Sequence, residues 1–308
     1  MEELSQPEVG AGQVRVRVGA ASVNFPDVLV VADEYQIKVP TPFVPGSEFA
    51  GVVEAVGDGV GNVGVGDRVF GTGLVGAFAE ETVVAAEAVT RTPGGVDDHA
   101  AAAFGVAHRT AYHVLRSVAA VQTGEQLVVL GAGGGVGLAA VQLGVILGAA
   151  VTAIASSAEK LEVAASYGAG TLINHRTDEL RDALRAALPE GADVVVDPVG
   201  GGLAEPALRS LGWGGRFVTV GYASGDIPRI PLNLVLLKGV SVLGFEFRGF
   251  AVHSPDALQR NDAELLQLLA SGRVAPHIGA TFPLEKVTDA LRYVADGRAI
   301  GKVVLEIA

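Results

Sequence analysis

The sequence predicts an α/β protein of two domains: a mostly-β domain and a doubly wound domain built on a six-stranded parallel sheet. Three observations predict this fold class. Short strand patterns crowd residues 1–105, strands and helices alternate from 127 to 245, and a run of glycines joins the first alternating strand to its helix. Such alternation is typical of a parallel sheet with helices on both faces.

The first part of the chain contains short strands separated by glycine and proline turns. Residues 14–18 alternate apolar and charged side chains with a period of two, which predicts a half-buried strand. Further strands are expected at 52–56, 67–70 and 82–84. Asp97 or Asp98 is expected to cap a short helix, and another helix is expected over 110–118.

The central part of the chain predicts six strands with helices between most of them. These strands are expected near 127–130, 151–155, 171–173, 193–197, 216–220 and 240–244. A helix opening at Ser254-Pro255-Asp256, another helix over 284–294 and a closing strand over 301–307 follow. We therefore expect the first domain at 1–105, the second at 106–248, and a return to the first domain at 249–308.

Composition and charge narrow the functional class. The chain has 308 residues, a formal net charge of −12 and no cysteine. The negative charge argues against nucleic acid or an anionic membrane as partner, and the missing cysteines exclude disulfides and thiolate-bound metals. The N-terminus lacks the basic and apolar regions of a signal peptide, so a cytoplasmic enzyme is expected. The uncharged segment between Glu125 and Glu159 is also typical of a membrane span, but its central glycines favour a turn.

A glycine turn at 131–137 predicts a dinucleotide-binding site. Gly131, Gly134 and Gly137 form a G-x-x-G-x-x-G motif between a strand pattern and an apolar helix pattern. Glycines let the backbone approach a pyrophosphate, and the N–H groups at the helix N-terminus, around Gly135 and Val136, face it. Because a strand pattern precedes the motif and a helix pattern follows it, the motif is better evidence for a dinucleotide-binding site than its glycine spacing alone.

The end of the second central strand predicts NADPH rather than NADH. An NAD site has an acidic residue there that binds the ribose hydroxyls, whereas this chain has Ser156 and Ser157, followed by Lys160. Small hydroxyls and a lysine suit a 2′-phosphate. The alternative is that Ser156 caps the next helix and Lys160 is merely solvated, although capping and phosphate contact are compatible.

Short motifs along nearly the whole chain resemble the medium-chain dehydrogenase/reductase superfamily, and within it the zinc-free quinone oxidoreductase branch. These motifs are residues 21–27 (ASVNFPD), Tyr35, 45–51 (PGSEFAG), 65–69 (VGDRV), 110–112 (TAY), the glycine turn, 197–201 (DPVGG) and 301–304 (GKVV). The resemblance implies a GroES-like catalytic domain and a Rossmann domain. It also implies a homodimer that pairs the edge strand at 240–244 across a two-fold axis.

The resemblance also assigns candidate site residues. Asn24, Asp27 and Tyr35 are implied to line the acceptor pocket, with Asn24 as a donor to the acceptor oxygen and Tyr35 as a hydrogen-bond or proton donor. Taken alone, without the resemblance, Asn24 and Asp27 are more typical of a turn, and Tyr35 of packing. The implied cofactor-binding residues are Thr110, Gly131, Gly134, Gly135, Val136, Gly137, Ser156, Ser157, Lys160, His175, Arg176, Gly221 and Phe245.

The residues implied to replace a zinc site restrict the acceptor. Where zinc-dependent members have Gly-His-Glu, this chain has Gly46, Ser47 and Glu48, and its six histidines show no metal-binding spacing. Without a Lewis acid the acceptor must itself be electrophilic, which favours a quinone. The alternatives are unsaturated aldehydes, ketones or enoyl thioesters, and a cofactor-binding protein with little turnover. The loops expected at 31–40 and 245–250 do not define the acceptor.

Overall fold

The computed structural model describes residues 3 and 5–307, which form two compact units. The first unit holds the chain up to Val106 and from Leu269 onward, and the second spans Ala107–Leu268. The chain passes from the first unit to the second after Val106, which is within one residue of the expected boundary. The return lies about twenty residues later than expected, at Leu269 rather than 249.

The later return has a physical cause in the second unit. The helix that begins at Pro255 is tied to the helix that begins at Ala107 by charged and polar side chains. The Arg109 guanidinium donates two hydrogen bonds to Asp262, at 2.9 and 2.7 Å, and the Tyr112 hydroxyl donates to Glu264 at 2.7 Å. Contacts of this kind between distant positions are not visible in a sequence pattern.

The first unit begins with five strands and two helices. They are β1 (Gln13–Val23), α1 (Phe25–Val31), β2 (Glu48–Val56), β3 (Arg68–Thr72), β4 (Glu81–Ala85), a 3₁₀ turn (Ala86–Ala88), β5 (Val89–Arg91) and α2 (Asp98–Ala102). Val14, Val16 and Val18 of β1 are buried, as their alternation predicted. Asp97 caps α2 by accepting the Ala100 N–H at 2.7 Å, which confirms the expected cap.

The second unit alternates strands and helices along its whole length. Its elements are α3 (Ala107–His113), a π-helical turn (Val114–Val118), β6 (Gln126–Leu130), α4 (Gly135–Ile146), β7 (Ala150–Ala155), α5 (Ala158–Ser166), β8 (Thr171–Asn174), α6 (Leu180–Ala187), β9 (Ala192–Asp197), a 3₁₀ turn (Gly201–Leu203), α7 (Ala204–Arg209), β10 (Leu211–Thr219), α8 (Leu232–Lys238), β11 (Ser241–Gly244), α9 (Phe247–His253) and α10 (Pro255–Ala270). The sheet order is β11-β10-β9-β6-β7-β8, and all five pairings are parallel. This order confirms the doubly wound, six-stranded sheet.

The chain returns to complete the sheet of the first unit. The returning elements are β12 (Ile278–Pro283), a 3₁₀ turn (Leu284–Lys286), α11 (Val287–Ala295) and β13 (Lys302–Glu306). β13 pairs with β1, so the seven-stranded sheet runs β12-β13-β1-β2-β3-β5, with β4 also paired to β1. Residues far apart in sequence on β1, β2 and β13 are thereby brought side by side.

Two segments differ from the sequence expectation. Residues 25–31 form helix α1 rather than a simple turn, and the segment expected as a loop at 245–250 contains the start of α9. The uncharged segment that is also typical of a membrane span contains α4, a twelve-residue helix between two strands, as the glycine turn and the apolar helix pattern predicted. None of the helices in the described part of the chain combines the length and apolar character required to span a bilayer.

Candidate functional site

The glycine turn lies at the carboxyl end of β6, where the chain reverses into α4. Gly131 has a φ of 60°, and a Cβ on Gly137 would come within 2.0 Å of the Gly131 carbonyl oxygen, so both positions require glycine. Gly134 is the N-cap of α4 and offers no capping side chain. It is partly exposed together with Gly135 and Val136. The start of α4 therefore has the open backbone and dipole end that bind a pyrophosphate.

The Lys160 side chain lies against the same turn. A Cβ on Gly133 would come 2.6 Å from the Lys160 Cβ and Cγ, so the aliphatic chain of the lysine packs over this glycine. The Ser157 hydroxyl accepts the Lys160 N–H at 3.3 Å, so the cap of α5 is Ser157 rather than Ser156. Ser156 is half-buried at the end of β7, one residue before the cap.

Three basic groups lie together at the carboxyl ends of β7 and β8. Burial lowers the pKa of Lys160; Glu159 opposes that shift, and the positive charge of Arg176 adds to it. Burial also lowers the pKa of His175, and Arg176 and Lys160 lower it further. The positive charges of Lys160 and Arg176 therefore repel each other, and a bound phosphate would relieve that repulsion. This chemistry fits the 2′-phosphate of NADPH.

A second group of polar side chains is buried in the first unit at the start of α1. The Asn24 N–H donates to Asp27 Oδ2 at 2.7 Å, an interaction typical of a helix N-terminus. The Asn24 amide nitrogen donates to Glu48 Oε2 at 3.0 Å and lies 3.4 Å from Ser47 Oγ, while its oxygen accepts from Lys302. Strands β2 and β13 thus hold both ends of the Asn24 amide.

The Glu48 carboxylate organises this group. Its Oε1 accepts the Val106 N–H at 2.8 Å, and its Oε2 lies 2.9 Å from Lys302 Nζ. Glu48 is 1% exposed and Lys302 is 3% exposed, so the pair is desolvated. Removal of one partner from such a pair commonly costs about 3–5 kcal/mol, because the other charge is left buried alone. The pair therefore fixes Asn24 relative to β13.

Sequence reasoning did not single out Lys302 as a functional residue. Only its place in the motif at 301–304 was noted. A usable signal was present, because a lysine inside a run of apolar strand residues needs a charged partner if that strand is buried. The sequence does not reveal that Glu48, on another strand, is this partner.

Asp27 is the most strongly perturbed carboxyl of the group. It is 2% exposed, and burial raises its pKa from 3.8 to about 7. The Asn24 N–H, the Ser47 hydroxyl and the charge of Lys302 act in the opposite direction, while Glu48 adds to the rise. Near neutral pH the carboxyl is therefore divided between its protonated and ionised forms.

Tyr35 and Thr110 lie in different units. Tyr35 follows α1 in the first unit and is half-buried, with its N–H donated to the Leu29 carbonyl at 3.1 Å. Thr110 is half-buried on α3 in the second unit. The roles assigned to these two residues, like the acceptor contact of Asn24, remain predictions.

Gly221 and Phe245 follow the two last strands of the parallel sheet. Gly221 is half-buried just beyond β10. The Phe245 ring is 9% exposed and lies 6.3 Å from the ring of His113 and 5.5 Å from that of Phe250, measured between centroids. His113 is fully buried, and its Nδ1 lies 3.1 Å from the Asn261 amide nitrogen. Phe245 thus belongs to an aromatic cluster that anchors the start of α9, and its cofactor contact remains a prediction.

The residues that the structure describes form no cluster of three or more His, Cys, Asp or Glu side chains that could hold a metal ion. His108, one of the histidines considered in the sequence, lies in the second unit with its Nε2 3.2 Å from Gln142 Oε1. Ser47, at the position implied to replace a zinc ligand, belongs to the buried polar group of the first unit.

Comparison with known proteins identifies the family. Residues 10–94 match the model of the alcohol dehydrogenase GroES-like domain, and residues 135–266 match that of zinc-binding dehydrogenases. Quinone oxidoreductase-like protein 2 of Rattus norvegicus is 37% identical, over 100% of this chain and 88% of the relative. The chain belongs to the medium-chain dehydrogenase/reductase superfamily, in its quinone oxidoreductase branch. The resemblance to this superfamily and to its quinone oxidoreductase branch is therefore confirmed.

Two solved structures extend the comparison. The quinone oxidoreductase from Thermus thermophilus, which was also solved in complex with NADPH, is 32% identical, with a TM-score of 0.87 over 99% of this chain and 95% of that one. The CurK enoyl reductase is 28% identical, with a TM-score of 0.86 over 100% of this chain and 94% of that one. The two relatives are named for different acceptor classes, so the fold they share does not decide the acceptor.

Proposed function

We propose that the chain is an NADPH-dependent oxidoreductase that delivers hydride to a quinone. Two observations support NADPH as the cofactor. Lys160, His175 and Arg176 lie together at the ends of β7 and β8, and β7 ends without an acidic residue. A 2′-phosphate neutralises this group, whereas the ribose hydroxyls of NADH leave its repulsion in place. The NADPH complex of the Thermus thermophilus relative supports the same cofactor.

The residues of this chain have separate roles in the proposal. The turn from Gly131 to Gly137 binds the pyrophosphate, and the Lys160 group binds the 2′-phosphate. NADPH, when bound, supplies a hydride from its nicotinamide ring. Asn24, whose amide hydrogens are engaged by Glu48 and Ser47, lines the acceptor pocket, and Tyr35 stabilises the negative charge that develops on the acceptor oxygen.

We further propose that the reaction needs no metal. The sequence has no cysteine, and Ser47 stands where the resemblance places a histidine ligand in zinc-dependent members. An acceptor reduced without a Lewis acid must be electrophilic, which favours a quinone over a simple ketone. Treatment with a chelator should leave activity intact. One zinc per chain by elemental analysis, lost together with activity, would contradict the proposal.

The second candidate acceptor is an enone, an enal or an enoyl thioester. The similarity to the CurK enoyl reductase favours this candidate. A screen of NADPH oxidation over quinones, enals, enones and enoyl thioesters separates the two, because the preferred class should give the highest kcat/KM. NADPH binding without oxidation on any acceptor would instead support a cofactor-binding protein with little turnover. Lys160→Ala, which removes the lysine proposed to bind the 2′-phosphate, is the control variant for the cofactor site.

We also propose that β11 pairs with its copy in a homodimer. β11 is the edge strand of the parallel sheet, and the surface of the second unit near it exposes large apolar side chains. These side chains, between 46% and 84% exposed, are Trp213, Leu232, Leu236, Leu237 and Val242. Exposed apolar groups of this number are typical of an interface, and a two-fold axis would cover both edges at once.

A further inference from the structure

The Asp27 carboxyl is a buried group that can release a proton near neutral pH. Its position in the first turn of α1 is fixed by the 2.7 Å hydrogen bond from the Asn24 N–H to Oδ2. The charged groups that act on it are Lys302 and Glu48, which are paired with each other at 2.9 Å and so exert opposing fields. Burial is the largest influence, and it brings the pKa to about 7. Asp27 therefore binds a proton far more strongly than an exposed aspartate.

Glu48, the other carboxyl of this group, has its lone pairs engaged. It accepts from Lys302, Asn24 and the Val106 N–H. A carboxylate whose oxygens already accept from an ammonium and two N–H groups has little capacity left to exchange hydrogen bonds with Asp27 or an acceptor. The Lys302 ammonium is hydrogen-bonded to Glu48 and Asn24 and acts on Asp27 only through its charge. The proton-carrying role therefore falls to Asp27.

The Ser47 hydroxyl is hydrogen-bonded to both the Asn24 amide and the Asp27 carboxyl. It is 9% exposed, and its oxygen lies 3.4 Å from the Asn24 amide nitrogen, from which it accepts. Its side chain also interacts with the Asp27 carboxyl through a hydrogen bond that lowers the pKa of Asp27. A hydroxyl has one hydrogen and two lone pairs, so Ser47 donates to Asp27 when that carboxyl is ionised. When Asp27 is protonated, Ser47 can instead accept from it, which frees the Ser47 hydrogen for another acceptor.

We propose that Asp27 stores the proton that neutralises the reduced acceptor and that Ser47 relays it. The inference rests on the proposed function, in which the acceptor is reduced beside Asn24. Hydride gives the acceptor two electrons and one hydrogen, a C–H bond forms, the conjugated π bond breaks, and the acceptor oxygen becomes negative. That oxygen takes the Ser47 proton, and Ser47 takes the Asp27 proton. Asp27 is left as a carboxylate and is reprotonated from water after the product leaves.

The proposal assigns separate roles to Asp27 and Tyr35. Tyr35 remains a hydrogen-bond donor that stabilises the developing charge, whereas the proton that is transferred comes from Asp27. The solvent isotope effect on turnover should therefore survive Tyr35→Phe and disappear in Ser47→Ala. The effect of Asp27 should be larger on an enone than on a quinone, because the enolate is the more basic product.

Two variants test the relay with little disturbance of the fold. Asp27→Asn keeps an oxygen for the Asn24 N–H but carries no acidic proton, and Ser47→Ala removes only a hydroxyl. Ser22→Ala is the matched control, because Ser22 is another buried serine of the first unit and its hydroxyl donates to the Val303 carbonyl at 3.2 Å. Each variant is assayed as full-length protein with NADPH and methyl vinyl ketone, in H₂O and in D₂O, from about pH 5 to about pH 9.

The expected results follow from the ionisation of Asp27. Wild-type kcat should fall as the pH rises through about 7. Asp27→Asn should lose this pH dependence and at least about 100-fold in kcat, the usual scale of general acid catalysis. Ser47→Ala should lose the solvent isotope effect, while Ser22→Ala keeps the wild-type profile. A wild-type pH profile and isotope effect in both relay variants would overturn the proposal.

The same assay separates failure of the relay from failure of the proposed function. If the wild type oxidises NADPH with the enone or with a quinone, and the variants change nothing, only the relay is wrong. If none of the acceptors tested supports oxidation of NADPH by the wild type, the proposed function is wrong, and so is the relay that depends on it. Small buffer acids should partly restore turnover to Asp27→Asn, which a purely structural defect would not allow.

Discussion

Replacement of Asp27 by asparagine should make the stability of the protein less dependent on pH. The folded protein must bury the Asp27 side chain, and burial raises its pKa from 3.8 to about 7. The carboxyl therefore contributes its full stability below about pH 4, where it is protonated in both states, and this contribution is lost as the pH rises toward 7. Asparagine has no charge to desolvate and should show no such loss.

The size of the effect follows from the two pKa values. At 1.36 kcal/mol per pKa unit, the difference between 3.8 and about 7 corresponds to roughly 4 kcal/mol. The free energy of unfolding of Asp27→Asn, relative to that of the wild type, should therefore rise by up to about 4 kcal/mol between about pH 4 and pH 8. Few single substitutions change stability by that amount.

Urea unfolding followed by circular dichroism measures this difference at each pH. Trp213, the only tryptophan of the chain, lies in the second unit and reports separately on that unit. Asp289→Asn is the matched control, since Asp289 occupies the first turn of α11 but is exposed. Its stability relative to the wild type should change little over the same pH range. An equally flat difference for Asp27→Asn would refute the account of a buried carboxyl that binds its proton near neutral pH.

Three other predictions concern the cofactor, the acceptor and the assembly. Lys160→Ala should weaken NADPH binding by about 1–3 kcal/mol and leave NADH binding nearly unchanged; equal losses by calorimetry would exclude a 2′-phosphate contact. Tyr35→Phe should cost an enone about 2.7–4 kcal/mol of transition-state stabilisation and a quinone less, and unchanged steady-state rates on both would leave Tyr35 a packing residue. The wild type should have the mass of a dimer by light scattering and Leu236→Lys that of a monomer, whereas a monomeric wild type would contradict pairing through β11.

The sequence predicted the fold well where local patterns and tertiary structure agree. The six strands of the parallel sheet and the helix after the glycine turn were predicted because each has a buried apolar pattern and a turn signal at its end. Helix α1 was missed, although Asn24 and Asp27 have the spacing of a helix cap, because Phe25-Pro26 was interpreted as a turn. Proline is acceptable in the first turn of a helix. The sequence therefore contained the pattern of a helix start, but that pattern was interpreted incorrectly.

The candidate site was only partly predictable. Most of the proposed cofactor residues lie just after the ends of β6, β7 and β8, so local sequence patterns are enough to propose them. The group around Asp27 depends on pairings across the sheet of the first unit, which bring Lys302 of β13 against Glu48 of β2. Neither the raised pKa of Asp27 nor its contact with Ser47 follows from the sequence, because both depend on burial. Long-range packing, rather than residue type, decided these features.

Transfer of deuterium from NADPH labelled at the transferring carbon to an enone tests the central claim most directly. The account predicts that the wild type forms a product with one deuterium on the carbon that received the hydride, detected by mass spectrometry. It also predicts that Lys160→Ala forms this product more slowly at subsaturating NADPH. A product without deuterium, or no oxidation of bound NADPH with any enone or quinone, would contradict hydride transfer as the activity of this protein.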